Sequence, residues 1–84
     1  MNGRDKYQLM RDYLEAVGIH HHRVRIMYRM NATYQNVLRF EKMSINLGLV
    51  TVDSTGRRLS FEVTSRGYEF LKLMRVLYET FPLD

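Results

Sequence analysis

The chain has 84 residues, 45% of them hydrophobic, no cysteine, and a formal net charge of +4. This length gives one domain with one small core, and a fold of this size buries only about 60% of its unfolded surface, so a partner subunit could add to it. The lack of cysteine excludes disulfides and thiolate metal sites. No apolar run approaches the roughly 20 residues of a membrane span, and the polar opening MNGRDKYQLM has no signal-peptide stretch, so a cytoplasmic protein is expected.

Arg4 to Val17 predicts a first helix. Tyr7, Met10, Tyr13, Leu14 and Val17 recur at three-and-four spacing and make one buried stripe, with Gly18 expected to close the helix. The run His20, His21, His22 does not predict a metal site. Neighbouring helical residues point about 100° apart, so three adjacent imidazoles do not converge on one ion, and no carboxylate stands at ligand spacing. Loop or helix-cap duty is the expectation for them.

Arg23 to Met30 predicts a second helix with Ile26, Met27 and Met30 inward. Arg25 and Arg29 stand four apart on another side, where like charges repel by about 0.2–0.5 kcal/mol unless an anion lies nearby. Asn31 and Ala32 form a turn, Thr33 caps a third helix from Tyr34 to Leu47, and Gly48 supplies the left-handed residue that ends it. On this third helix Gln35, Arg39, Lys42 and Asn46 share a narrow polar arc. Val37, Phe40 and Leu47 fall on the opposite side, together with Glu41 and Ser44. A glutamate on a buried face needs a partner, and Arg23 is the expected one. Two short helices joined by a brief turn, the second polar and basic outside, form a helix-turn-helix pattern over about residues 22–47.

After Gly48 the period becomes alternating. Leu49 to Val52 is a short β-branched run, Asp53 to Gly56 is turn chemistry, and Leu59, Phe61 and Val63 alternate with Arg58, Ser60 and Glu62. A hairpin over about residues 49–63 is expected, with one buried face and with Arg57 and Arg58 at its tip. Thr64 then caps a last helix over about residues 65–81, ahead of Pro82. Its apolar residues Phe70, Leu71, Leu73, Met74, Val76, Leu77, Tyr78 and Phe81 span roughly 220°, wider than the ~100° stripe one core requires. The spacing 70, 74, 77, 81 is that of a short coiled-coil seam. A homodimer through Phe70, Leu73, Met74, Leu77 and Phe81 is therefore expected, the alternative being cover by the first helix.

The positive charge is concentrated. From Gly18 to Gly48 stand Arg23, Arg25, Arg29, Arg39 and Lys42 against the single acid Glu41, while bases and acids balance in the rest of the chain. That is the footprint of a phosphate-binding surface around the third helix.

Ordered short motifs also resemble a family. Arg4-Asp5, Leu14-Glu15-Ala16, Ile26-Met27-Tyr28-Arg29, Asn31-Ala32-Thr33-Tyr34, Gly48-Leu49-Val50 and Thr64-Ser65-Arg66-Gly67-Tyr68-Glu69-Phe70-Leu71 look like the pattern of small archaeal winged-helix DNA-binding proteins, a group of transcription regulators and chromatin-type proteins. The resemblance covers Arg4 to about Phe81 and implies a winged helix with a long C-terminal helix. In chromatin-type relatives that helix forms an antiparallel coiled-coil dimer. Glu41 and Ser44 depart from the leucine usual on the inner side of the third helix.

The combined expectation is one α+β winged helix-turn-helix domain acting as a dimeric double-stranded DNA-binding regulator. Gln35 and Arg39 are the candidates for base edges, because amide and guanidinium groups make paired contacts to adenine and guanine. Arg25, Arg29, Lys42 and Asn46 are candidates for phosphates, Arg57 and Arg58 for wing contacts, and Tyr34 for DNA or packing. No nucleophile-and-base constellation, phosphate-cradling loop or metal set is present, so neither an enzyme nor a cofactor is expected. The competing readings are a protein-interaction adaptor, a sequence-independent chromatin protein, and a binder of structured RNA, which would lack the aromatic pair of a stacking platform.

Overall fold

Local chemistry sets the element boundaries in the computed structural model, which describes residues 5–80; Arg4 and Phe81 lie outside them. Asp5 opens α1 (Lys6–Ile19) as a capping box, its carboxylate accepting from the Gln8 amide while the Gln8 side chain accepts from the Asp5 amide. The helix continues through Gly18 rather than ending there and stops at His20, whose N–H still bonds to Ala16 O. One glycine costs a helix only about 1 kcal/mol, which packing of the preceding turn outweighs.

The chain then enters α2 (Arg23–Met30), which ends at Asn31 in the left-handed region, φ 54°. Asparagine tolerates that conformation better than most residues. Two residues later Thr33 Oγ1 accepts from the Asn36 amide and starts α3 (Tyr34–Asn46). Gly48, φ 75°, turns the chain out of α3 into β1 (Val50–Asp53). β1 pairs antiparallel with β2 (Ser60–Val63) in a register running from Val50 opposite Val63 to Asp53 opposite Ser60.

The entry to α4 (Ser65–Thr80) is a clasp. Thr64 Oγ1 donates to Gly48 O at 2.6 Å and accepts from the Gly67 amide at 3.1 Å, while the Thr64 amide bonds to Leu49 O. This ties the start of α4 to the end of α3. α4 then returns antiparallel along α1, since Tyr78 Oη donates to Asp5 Oδ2 at 3.0 Å near one end, and Tyr68 and Leu71 lie by Gly18 and Ile19 near the other. The core is shared by Tyr13, Leu14 and Val17 of α1, Ile26 and Met30 of α2, Val37 and Phe40 of α3, and Val50 and Phe61 of the hairpin.

Three inward expectations fail. Tyr7 and Leu47 are 55% and 54% exposed: Tyr7 stands in the first turn of α1 beyond the core, and Leu47 is the residue after the last turn of α3, where the chain is already redirected. Leu59 precedes the paired register of β2 and is exposed in the wing loop. Along α4 the broad apolar arc is divided. Met74 is buried, and Phe70 and Leu71 pack on the chain's own core. Leu73, Val76 and Leu77 stay outside, at 69%, 52% and 52% exposure.

Gly67 is where α4 meets the hairpin: a Cβ built on it would collide with Leu49 O and sit 2.6 Å from Val63 Cγ1. Gly67→Ala should therefore lose about 1–3 kcal/mol in urea denaturation, the usual penalty of overpacking. Gly18→Ala, where a helical Cβ would meet nothing within 4 Å, should gain about 0.5–1 kcal/mol. Equal effects of the two substitutions would contradict the clasp.

Candidate nucleic-acid interface

One ion pair orients the two helices that carry the charge. Arg23 Nε and the second guanidinium nitrogen donate to the two carboxylate oxygens of Glu41, each at 2.8 Å. A third donor reaches Tyr34 Oη at 3.4 Å, and the guanidinium lies 5.7 Å from the centre of the Phe61 ring. Arg23 thus touches α3 at its start and middle and the hairpin on a third side. The only acid of α3 is neutralised on the inner side of that helix. Below it, Ser44 is fully buried and donates its hydroxyl to Glu41 O at 2.9 Å, which satisfies the polar group. Burial, with the Glu41 charge second, pushes the Tyr13 phenol well above its ordinary range. The Ser44 hydroxyl is given to Glu41 O, and among the described residues the buried Tyr13 hydroxyl has no hydrogen-bond partner.

The outer face of α3 is left to Gln35, Arg39 and Lys42, all exposed. Arg39 donates to Asn36 Oδ1 at 3.2 Å, one turn back, which lays its guanidinium along the helix surface. Beside the start of α3 runs a seam lined by His22, Arg25, Tyr34 and Arg58, so the wing loop and α2 present cations on one flank. The wing loop bends tightly because Asp53 accepts from both the amide and the hydroxyl of Thr55, bonds that hold its carboxyl below the usual range.

The histidine run tethers this wing. His21 O accepts from the Phe61 amide at 2.9 Å, and His21 Nδ1 lies 3.0 Å from Phe61 O. His22 Nδ1 lies 3.1 Å from Leu59 O. A carbonyl can only accept, so both Nδ1 atoms carry a proton. His22 occupies the N-cap position of α2 but makes no side-chain cap bond. Among the described residues no cluster of His, Asp and Glu is arranged to hold a metal ion.

A sequence profile described as winged helix-turn-helix matches residues 3–81. The chain belongs to the winged helix-turn-helix family. A solved structure with the same fold is that of Sso10a-2, a DNA-binding protein from Sulfolobus solfataricus, at TM-score 0.79 and 17% identity, covering 92% of this chain and 81% of that one. No curated protein matches the chain. In winged-helix terms α3 takes the position of the recognition helix and the 54–59 hairpin loop that of the wing.

Of the residues singled out from sequence, the winged helix brings Arg25, Tyr34 and Arg58 to one seam and sets Gln35, Arg39 and Lys42 beside it on the recognition helix. Arg57 is exposed on the wing loop. Arg29, one turn along α2 from Arg25, borders a depression shared with His20, Arg25 and Tyr28 and others shared with Asp12 and Glu15 of α1. Asn46 lines a groove on the other side, between α3 and α1. Sequence reasoning missed Asn36, whose three-residue spacing from Arg39 could have shown it, and His22, whose wing contact runs through a backbone carbonyl that no sequence pattern displays.

The Arg23–Glu41 side chains are 26% and 14% exposed, between the surface regime of about 0–1 kcal/mol and the 3–5 kcal/mol loss of breaking a buried pair. Glu41→Ala should cost about 2 kcal/mol, and a double-mutant cycle with Arg23→Ala should show the second substitution costing less than it does alone. Additive losses would mean that the pair does not act as a unit.

Proposed function

We propose that this winged helix binds double-stranded DNA as a transcriptional regulator, with α3 in the major groove and the wing on the adjoining backbone or minor groove. The carrying observation is the sorting of charge on α3: Gln35, Arg39 and Lys42 point outward, the sole acid is held inward by Arg23, and Arg25 and Arg58 flank the helix start. A major groove about 12 Å wide admits one helix, and a side with cations and no competing carboxylate is what a phosphate-lined groove requires. The description of the structural neighbour as a DNA-binding protein supports the same reading. Gln35 and Arg39 are the proposed base-edge contacts, Lys42, Arg25, Arg57 and Arg58 the phosphate contacts, and Tyr34 a contact at the seam. Arg29, beside Arg25 on α2, is a further proposed phosphate contact, while Asn46 is peripheral to this surface. A protein of this kind performs no reaction and resides with the nucleoid; among the described residues no helix is long and apolar enough to cross a membrane.

The functional unit is proposed to be a homodimer through α4. Leu73, Val76 and Leu77 form an exposed apolar strip on a helix whose opposite side is already packed on α1, and burying such a strip against a second copy is the ordinary way to remove it from water. Phe81, expected at the same seam, lies outside the described residues.

Two measurements follow. Arg39→Ala should cost about 1–3 kcal/mol on the duplex selected from a random pool and flatten the preference at one base position. Uniform weakening on every sequence would make Arg39 a phosphate contact, and a flat selection with wild-type protein would indicate an architectural role. Leu73→Asp with Leu77→Asp should convert a dimer to a folded monomer in sedimentation equilibrium, and an unchanged mass would contradict the α4 interface.

A further inference from the structure

On the side of the domain away from the wing seam, a groove of about 520 Å³ opens between the first turn of α1, the last turn of α3 and the first turns of α4. Its walls are apolar, with Met10, Met43 and Phe70 prominent among them. Tyr7 and Leu47, the two residues that helical periodicity turns inward and the fold leaves more than half exposed, stand at its lip. Two cations complete the rim, Lys6 and Arg66, and among the described residues no acidic side chain lines it. Among the described residues neither cation meets a carboxylate. The Lys6 ammonium lies 5.6 Å from the Tyr7 ring centre, and Arg66 makes one long bond, 3.4 Å, to Leu47 O.

This combination has a ligand chemistry. The volume falls in the range of small-molecule sites, where apolar walls supply the affinity and a few polar groups fix orientation. Methionine walls adapt to irregular aliphatic shapes. A cationic rim over an apolar floor complements a molecule with an apolar body and one negative head. We propose that the groove binds an amphipathic carboxylate, its body on Met10, Met43 and Phe70 and its head between Lys6 and Arg66, and that occupancy weakens DNA binding. Tyr7 and Leu47, otherwise exposed, would be covered by it.

The second half of the proposal rests on the DNA-binding reading. The groove is walled on one side by the end of the recognition helix and on the other by the start of α4, the two segments that the Thr64 hydroxyl joins through Gly48 O. A carboxylate that draws Arg66 from Leu47 O acts on that junction, and it adds negative charge behind a helix that must approach phosphates. A ligand shifts such an equilibrium only by its difference in affinity for the two states, so the effect on DNA must be reciprocal: DNA weakens the ligand by the same factor.

The test uses the full chain with methyl-labelled methionine and octanoate as the probe, with 1-octanol as its uncharged counterpart. Octanoate at millimolar concentration should shift the Met10 and Met43 methyl resonances saturably and leave Met27 of α2 in place. Lys6→Gln and Arg66→Gln should each weaken octanoate about threefold, as expected for exposed charge contacts, and leave 1-octanol unchanged. Saturating octanoate should lower duplex affinity about fivefold or more. No saturable shift at Met10 and Met43, or octanol binding as tightly as octanoate, would overturn the site. A shift with unchanged duplex affinity would overturn the regulatory half. Failure to bind duplex without octanoate would fall on the DNA-binding reading, and the methyl shifts would still judge the site.

Discussion

The arrangement of the proposed DNA face depends on the fork between Arg23 and Glu41. Both carboxylate oxygens are taken at 2.8 Å by one guanidinium, which also reaches Tyr34 at the start of the recognition helix and rests on Phe61 of the wing. A planar guanidinium can meet a carboxylate through two parallel bonds, so the pair fixes direction as well as distance. Hydrophobic burial of Tyr13, Phe40 and Phe61 supplies far more of the folding free energy than a pair with 26% and 14% exposure can. What the pair supplies is orientation: α2, α3 and β2 meet at one side chain. It also clears the outer side of α3 of negative charge, by holding Glu41 inside.

Around that fork the wing is held by backbone-directed bonds. His21 and His22 reach the carbonyls of Phe61 and Leu59, so the segment between α1 and α2 runs beside β2 and ties the wing to it. On the opposite side the Thr64 clasp joins the end of the recognition helix to α4. The recognition helix is therefore anchored at its start through Arg23, along its length through Val37, Phe40 and Ser44, and at its end through Gly48. A helix held at three places gives Gln35, Arg39 and Lys42 a fixed base, which the proposed reading of base edges would require.

Much of this was legible in the sequence because the deciding chemistry is local. Thr33 and Thr64 as caps, Gly48 as a left-handed stop, and the change of period after it each depend on a few adjacent residues. The Arg23–Glu41 pair was legible for a different reason: an acid on the arc of Val37 must be neutralised, and few bases were within reach. Where placement depended on distant packing, pattern reading failed. Tyr7 and Leu47 have core spacing, but the core ends before their turns. Leu59 has strand spacing, but the paired register starts one residue later. The wide apolar arc of α4 could not show from spacing alone that Met74 would turn to the core while Leu73 and Leu77 stayed outside. The tethers from His21 and His22 end on carbonyls, which carry no residue signature at all.

The cationic face of α3, the α2 seam and the wing is the central claim, and its most direct test is the salt dependence of affinity for duplex DNA. Each phosphate neutralised by a lysine or arginine releases counterions, so the slope of log affinity against log salt counts such contacts at about 0.9 per phosphate. The account predicts binding at about 50 mM salt that falls steeply toward about 200 mM, with Arg25→Ala and Arg58→Ala each reducing the slope by about one phosphate. Absence of duplex binding at low salt, or an affinity indifferent to both salt and these arginines, would contradict it.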